Sequence, residues 1–235
     1  MAEGRMENNN RWLEYWNGDV SVYVSPRHLE AHYKGLFADI TPLLPKPPFT
    51  LLDYGCGDAL MAPDIASRGG RVLLYDRAAA RRATLRNRFA GQPAIEILDD
   101  LKAAEGACDL ALMISVIQYV PKAELPALLR SLKALLKPDG LLVIGDILSP
   151  DNSMVGDVSA LLRFGMKEGF LADAMKGLVK TLRSDYRKMR GELGLSSYSI
   201  SDIIGVLTEC GFQAQPLTKN IGHAHHRRSV TARLK

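Results

Sequence analysis

Short unbroken apolar runs alternate with longer amphipathic stretches through the middle of the chain. The runs are Thr50–Tyr54, Arg71–Asp76, Ala94–Leu98, Asp109–Ser115 and Leu141–Asp146. Between them, Arg81–Phe89 and Leu125–Leu136 place apolar residues at helical spacing. Strands that are apolar on both faces and alternate with helices predict a parallel sheet covered on both sides. Near the end, Ser199 and Asp202 have capping-box spacing, Ile200, Ile203, Ile204 and Leu207 follow helical periodicity, and Gly211 stands where a terminating glycine belongs. Phe212–Thr218 and Ser229–Leu234 then read as two antiparallel strands joined by a loop over Lys219–Arg228.

Two segments do not fit this alternation. Residues 1–48 end in the cluster Pro42, Pro45, Pro47 and Pro48 and carry both tryptophans with Tyr15, Tyr23 and Tyr33. Residues 147–198 read as glycine-broken helices, Val158–Phe164 and Phe170–Arg190. Ligands of open α/β sheets bind at the carboxyl ends of the strands, so both segments are expected to cap that edge. The expected division is an N-terminal lid (1–48), a core (49–146), a helical cap (147–198) and a closing helix with a strand pair (199–235), all within one domain.

Composition narrows the class only slightly. With 235 residues, 47% hydrophobic and 24% charged, the chain is long enough for a sizeable core. Cys56, Cys108 and Cys210 are odd in number and far apart, which excludes a disulfide scaffold and fits a reducing compartment. The opening MAEGRMENNN resembles neither a signal nor a transit peptide, and Leu110–Val120 is too short to span a bilayer, so a cytoplasmic protein without a membrane partner is expected. A net charge of +4 gives no case for nucleic acid. The basic positions Lys180, Arg183, Arg187 and Arg190 recur as one solvated helix face.

The strongest chemical signal is Leu51-Leu52-Asp53-Tyr54-Gly55-Cys56-Gly57-Asp58-Ala59. A buried strand ends beside an acid and turns through Gly-x-Gly, where backbone can approach a ligand closely. The next strand ends at Asp76, where a carboxylate can accept from two ribose hydroxyls, and the third ends at Asp99-Asp100, where one can accept from an exocyclic amine. A nicotinamide-dinucleotide site would want glycine or alanine at position 60, which is Leu60, and an anion cradle, whereas Asp53 and Asp58 flank this loop.

These motifs resemble the class I S-adenosylmethionine-dependent methyltransferases. LLDYGCGDA is similar to the family's nucleotide loop, with Ala59 in place of its usual third glycine; Tyr75-Asp76 resembles its ribose motif; CDLALMISVIQYV (108–120) and LLKPDGLLVIGD (135–146) resemble its fourth and fifth strands. The resemblance implies a Rossmann-like, doubly wound, seven-stranded and mostly parallel α/β sheet whose last strand is antiparallel. It implies S-adenosylmethionine as methyl donor, leaving S-adenosylhomocysteine, with Asp53, Gly55, Cys56, Gly57, Asp76, Arg77, Asp99, Asp100, Leu101, Ser115 and Tyr119 around it. Methyl transfer to a small molecule is expected, on oxygen, nitrogen or carbon. A non-catalytic donor-binding partner protein and a nucleic-acid methyltransferase are the alternatives.

Such a displacement needs alignment and exclusion of water more than a base. The candidates for assistance are His223 and His226, in a loop expected at the ligand edge, and Tyr119. Tyr15, Tyr23, His28, His32 and Tyr33 are the candidates for contact with the acceptor. His28 and His32 lie four residues apart, but Leu29 stands where a zinc-protease helix needs Glu, and no metal site is expected.

Overall fold

The computed structural model describes residues 11–18, 22–151, 153–181 and 194–235. Seven strands form one sheet: Phe49–Tyr54 (β1), Gly70–Tyr75 (β2), Ile95–Ile97 (β3), Cys108–Ile114 (β4), Leu136–Ile147 (β5), Phe212–Pro216 (β6) and Arg228–Leu234 (β7). Their order across the sheet is β3-β2-β1-β4-β5-β7-β6. The first five pair in parallel, and β7 runs antiparallel to both β5 and β6. The expected architecture, including the reversed last strand, is the observed one. Leu52 stands opposite Leu73 on one side and Ala111 on the other. The strand order changes direction at β1, between β2 and β4, which opens a crevice at the carboxyl ends of these strands.

Each central strand feeds two cores, because alternate residues face opposite sides of the sheet. On one face Leu51, Leu110 and Leu112 pack with helices Pro26–Ile40 (α2), Ala62–Ser67 (α3) and Ala79–Arg88 (α4), through Leu36, Ile40, Ile65 and Leu85. On the other, Leu52, Ala111 and Met113 pack with Leu125–Leu135 (α5) and Ile200–Glu209 (α8), through Leu125, Leu129, Ile203 and Leu207. Helix α8 carries the reciprocal Ser199–Asp202 capping box. A short helix over residues 11–17 (α1) precedes α2, and Met154–Glu168 (α6) and Leu171–Thr181 (α7) form the insertion. No helix among the described residues is long and apolar enough to cross a membrane.

Three boundaries differ from the sequence pattern. Helix α6 is longer than Val158–Phe164 because Gly165 does not break it; a Cβ there would stand 3.2 Å from the Ala174 Cβ, so the missing side chain lets α7 pack close. The break comes at Gly169, which ends α6 at φ +78°. Strand β5 begins at Leu136 because Leu136 pairs with Cys108 across a register shift. Finally, the segment assigned as an N-terminal lid is partly core: Leu36 and Ile40 of α2 are buried under the sheet. The rest of the helix expected to Arg190, with Arg183, Arg187 and Arg190, lies outside the described residues.

Candidate active site

A cleft of about 230 Å³ opens at the crevice beside β1, β2 and β4. Its floor is the glycine turn. Gly55 N and Cys56 N both donate to the Tyr75 carbonyl, at 2.7 and 3.3 Å, which ties the turn to the end of β2. Gly55 sits at φ +72° and Gly57 at +57°. A Cβ at Gly55 would overlap the Val116 side chain, and one at Gly57 would stand 3.1 Å from the Tyr33 hydroxyl. Both glycines are therefore required by backbone angle and by space.

Two acids face this floor under different constraints. Asp53, on β1, is only 5% exposed, and no hydrogen bond or ion pair reaches its carboxylate among the described residues. Burial pushes it up to about 7, and the nearby Asp76 adds to the effect. Asp76 follows β2 and accepts from Gly57 N at 3.2 Å and Ala78 N at 2.9 Å. Burial raises it too, against those two bonds. Two accepted bonds leave lone pairs on the carboxylate free for hydroxyl donors.

The walls are aromatic and mostly outside the sheet. Trp12, Trp16, Val22 and Tyr23 from the N-terminal segment line one side. Tyr119, after β4, meets Trp12 and Trp16 edge-on at 4.9 and 5.4 Å between ring centroids. Arg77 and Arg81 also line the cleft, and Arg81 is paired with Asp58 at 3.2 Å. Cys56 lines it with a thiol that burial pushes well up, so it is held protonated. Helix α2 contributes His32, Tyr33 and Leu36. Burial lowers His32 to about 3, which keeps its imidazole neutral at physiological pH.

At the end of β4, Ser115 lines the cleft in a left-handed conformation, φ +58°, and donates to Asp146 at 2.6 Å. Asp146 is also left-handed at φ +59°, near the end of β5. Arg227 bridges Asp146 and Asp157, at 2.6 and 3.0 Å, and Asn220 donates to Asp146 at 3.3 Å. This network ties β5 to α6 and to the loop before β7.

The sequence candidates divide accordingly. Asp53, Gly55, Cys56, Gly57, Asp76, Arg77, Ser115, Tyr119, Tyr23, His32 and Tyr33 line one cleft. Others stand apart from that lining. Asp99 has a side chain 74% exposed and is held by Arg82 and Arg86, while Asp100 caps its own turn by accepting from Lys102 N. Leu101 packs against the core. His226 is paired with Asp157 at 3.0 Å, and His223 stacks on Phe164 at 4.6 Å. His28 stacks on Phe170 at 4.7 Å and accepts from Val24 N. Tyr15 contacts Trp12 and Trp16 edge-on. Thus His223 goes to packing and His226 to a hydrogen bond, because α6 brings Phe164 and Asp157 to them. Sequence reasoning missed Trp12 and Trp16 as lining and Asp146–Arg227 as a bridge. An acid ending a buried strand, LVIGD, was the available signal for the latter. Among the described residues, no group of three His, Cys, Asp or Glu is placed to hold a metal ion.

Comparison with known proteins places this geometry in a family. A family model described as a methyltransferase domain matches residues 27–216. A ubiquinone biosynthesis O-methyltransferase from Cereibacter sphaeroides is 34% identical over 111 residues, which cover 45% of this chain and 44% of that protein. The chain thus matches less than half the length of that curated relative. Among solved structures, magnesium protoporphyrin IX methyltransferase from Synechocystis superposes with a TM-score of 0.56 at 16% identity, covering 98% of this chain and 96% of that one. A TehB-like S-adenosylmethionine-dependent methyltransferase from Corynebacterium glutamicum gives 0.54 at 14% identity, with all of both chains covered. With the family model spanning most of its length and the expected sheet in place, the chain belongs to the class I S-adenosylmethionine-dependent methyltransferases.

Proposed function

We propose that the cleft binds S-adenosylmethionine and directs its methyl group to a small molecule enclosed under the cap segments. One observation carries the reading: a buried carboxylate without a partner among the described residues, Asp53, faces the same cleft as the bare-backbone turn and Asp76. A partnerless buried acid is costly unless a cation comes to it, and the donor carries both an ammonium and a sulfonium. When bound, S-adenosylmethionine supplies a methyl group already activated by the sulfonium. The chain's own residues then have three tasks. Gly55 and Gly57 admit the ligand to the backbone, Asp76 accepts from ribose hydroxyls, and Arg77, Ser115 and Tyr119 enclose it. We assign no role to Asp99, Asp100 and Leu101, which stand outside the lining.

On the acceptor side, the aromatic wall of Trp12, Trp16 and Tyr23 excludes water, so that alignment governs the rate. His32 is the imidazole offered to an acceptor O–H or N–H. Held neutral, it accepts a hydrogen bond, and we assign that role to His32 rather than to His223 or His226. In this reading residues 1–48 and 147–198 are parts of a single domain, with α1 and the first turns of α2 serving as lid.

The test is calorimetry with S-adenosylhomocysteine, followed by incubation of radiolabelled donor with cell extract. Asp76→Ala is expected to weaken binding by on the order of 1–3 kcal/mol, the range for hydrogen bonds to a charged group, with the circular dichroism of the folded protein retained. Label is expected in acid-soluble small molecules. Absence of binding to the unmodified protein overturns the donor assignment; label in nuclease-sensitive polymer overturns the acceptor class; binding without any labelled product marks a non-catalytic donor-binding protein.

A further inference from the structure

We propose that Tyr33 is a positioning residue for the donor loop, so that docking of α2 and binding of the donor become one coupled event. The inference rests on the reading above that the glycine turn holds the donor. Tyr33 comes from α2, outside the turn, and its hydroxyl reaches three backbone groups of it. It accepts from Asp58 N at 2.8 Å and Ala59 N at 3.1 Å, and donates to the Cys56 carbonyl at 3.1 Å. The ring is 6% exposed, so these bonds are shielded from water. Phenylalanine would fill the same volume and leave Asp58 N without its acceptor, while Ala59 N and the Cys56 carbonyl would keep only their bond to each other, at 3.0 Å.

Ala59 shows why the turn needs an external hold. It stands where the glycine pattern would continue, it is fully buried, and its φ is +49°. That region disfavours any residue with a Cβ. The bond from its N–H to Tyr33 opposes relaxation to an ordinary angle. Gly57 makes room for the same hydroxyl, since a Cβ at 57 would lie 3.1 Å from it. The missing Cβ at 57 therefore serves the tyrosine as well as a ligand. Next to Tyr33 on α2, His32 lines the cleft, and the Tyr23 ring lies 6.3 Å from the Tyr33 ring between centroids. Tyr33 thus joins the loop, through its hydroxyl, to the wall that covers the acceptor, through ring contacts with Tyr23 and His32.

The experiment compares Tyr33→Phe, Ala59→Gly and the double variant by calorimetry with S-adenosylhomocysteine, with hydrogen exchange of α2 measured in parallel. Tyr33→Phe is expected to weaken binding about tenfold, the consequence of unpairing Asp58 N and freeing the turn from α2. Ala59→Gly alone is expected to change affinity by less than about twofold, and in the Tyr33→Phe background to restore most of the loss, because glycine adopts the left-handed angle without help. A merely structural tyrosine would not be rescued by a change at position 59. Binding of S-adenosylhomocysteine is also expected to protect α2 amides in the unmodified protein and not in Tyr33→Phe. Tyr33→Phe binding within twofold of the unmodified protein, or no rescue, overturns the proposal while leaving the donor assignment intact. Should Tyr33→Phe fail to fold, α2 exchange in the unmodified protein decides, since donor-independent exchange overturns the coupling. Failure of the unmodified protein to bind at all is instead a failure of the donor assignment.

Discussion

Asp53 and Asp146 are both buried acids near the carboxyl ends of parallel strands, one on β1 and one on β5, and their surroundings are opposite. Asp146 is met by Arg227, by the Ser115 hydroxyl and by Asn220. Asp53 has none of these, and burial pushes its carboxyl up to about 7. The compensated acid holds structure together, since Arg227 extends the bridge to Asp157 on α6. The uncompensated one keeps its electrostatic demand open for a ligand. In general, perturbed acids in clefts mark functional sites better than buried acids as such.

The comparison can be broken most severely at the bridge. Arg227→Ala would leave buried Asp146 and half-buried Asp157 without their shared cation, and the expected loss is on the order of 3 kcal/mol in chemical denaturation. A loss below about 1 kcal/mol would show that the bridge is an ornament of the fold. Asp53→Asn tests the opposite case. A carboxyl raised from 3.8 to about 7 in the folded state contributes stability below pH 3.8, and this is lost as pH rises through 7. The donor-free Asn variant should therefore be more stable at neutral pH, on the order of 2 kcal/mol, and should lack the decline between pH 4 and 7. Its affinity for the cationic donor should fall, and the rise of that affinity with pH through 7 should disappear. Equal donor affinity at pH 6 and 8 in the unmodified protein would count against Asp53 as the cation's partner. The smallest effect is expected at Asp99→Ala. Its side chain is mostly solvated and pairs only with Arg82 and Arg86 of α4, so stability should barely shift and donor affinity should not change. A tenfold loss of affinity there would return Asp99 to the site.

Local pattern carried a reader far along the sheet. The strands β1, β2 and β4 appear where apolar runs occur, because a strand buried on both faces leaves a continuous signal. The capping box at Ser199 is equally local. Pattern was less reliable for α6, where Gly165 looks like a breaker and is a packing surface. It was least reliable for side chains that tertiary neighbours claim. His226 and Asp99 carry suitable chemistry, yet Asp157 and the arginines of α4 engage them outside the cleft.

The sequence by itself determined the alternation of strands and helices, the turn after β1 and the acids near the strand ends, because these depend on periodicity and on the angles open to glycine. Tertiary structure alone decided which acid would lack a partner, which histidine would line the cleft, and that a phenol from α2 would reach the glycine turn. Those outcomes depend on contacts between residues far apart in the chain, and no local pattern encodes the distance between two folded surfaces.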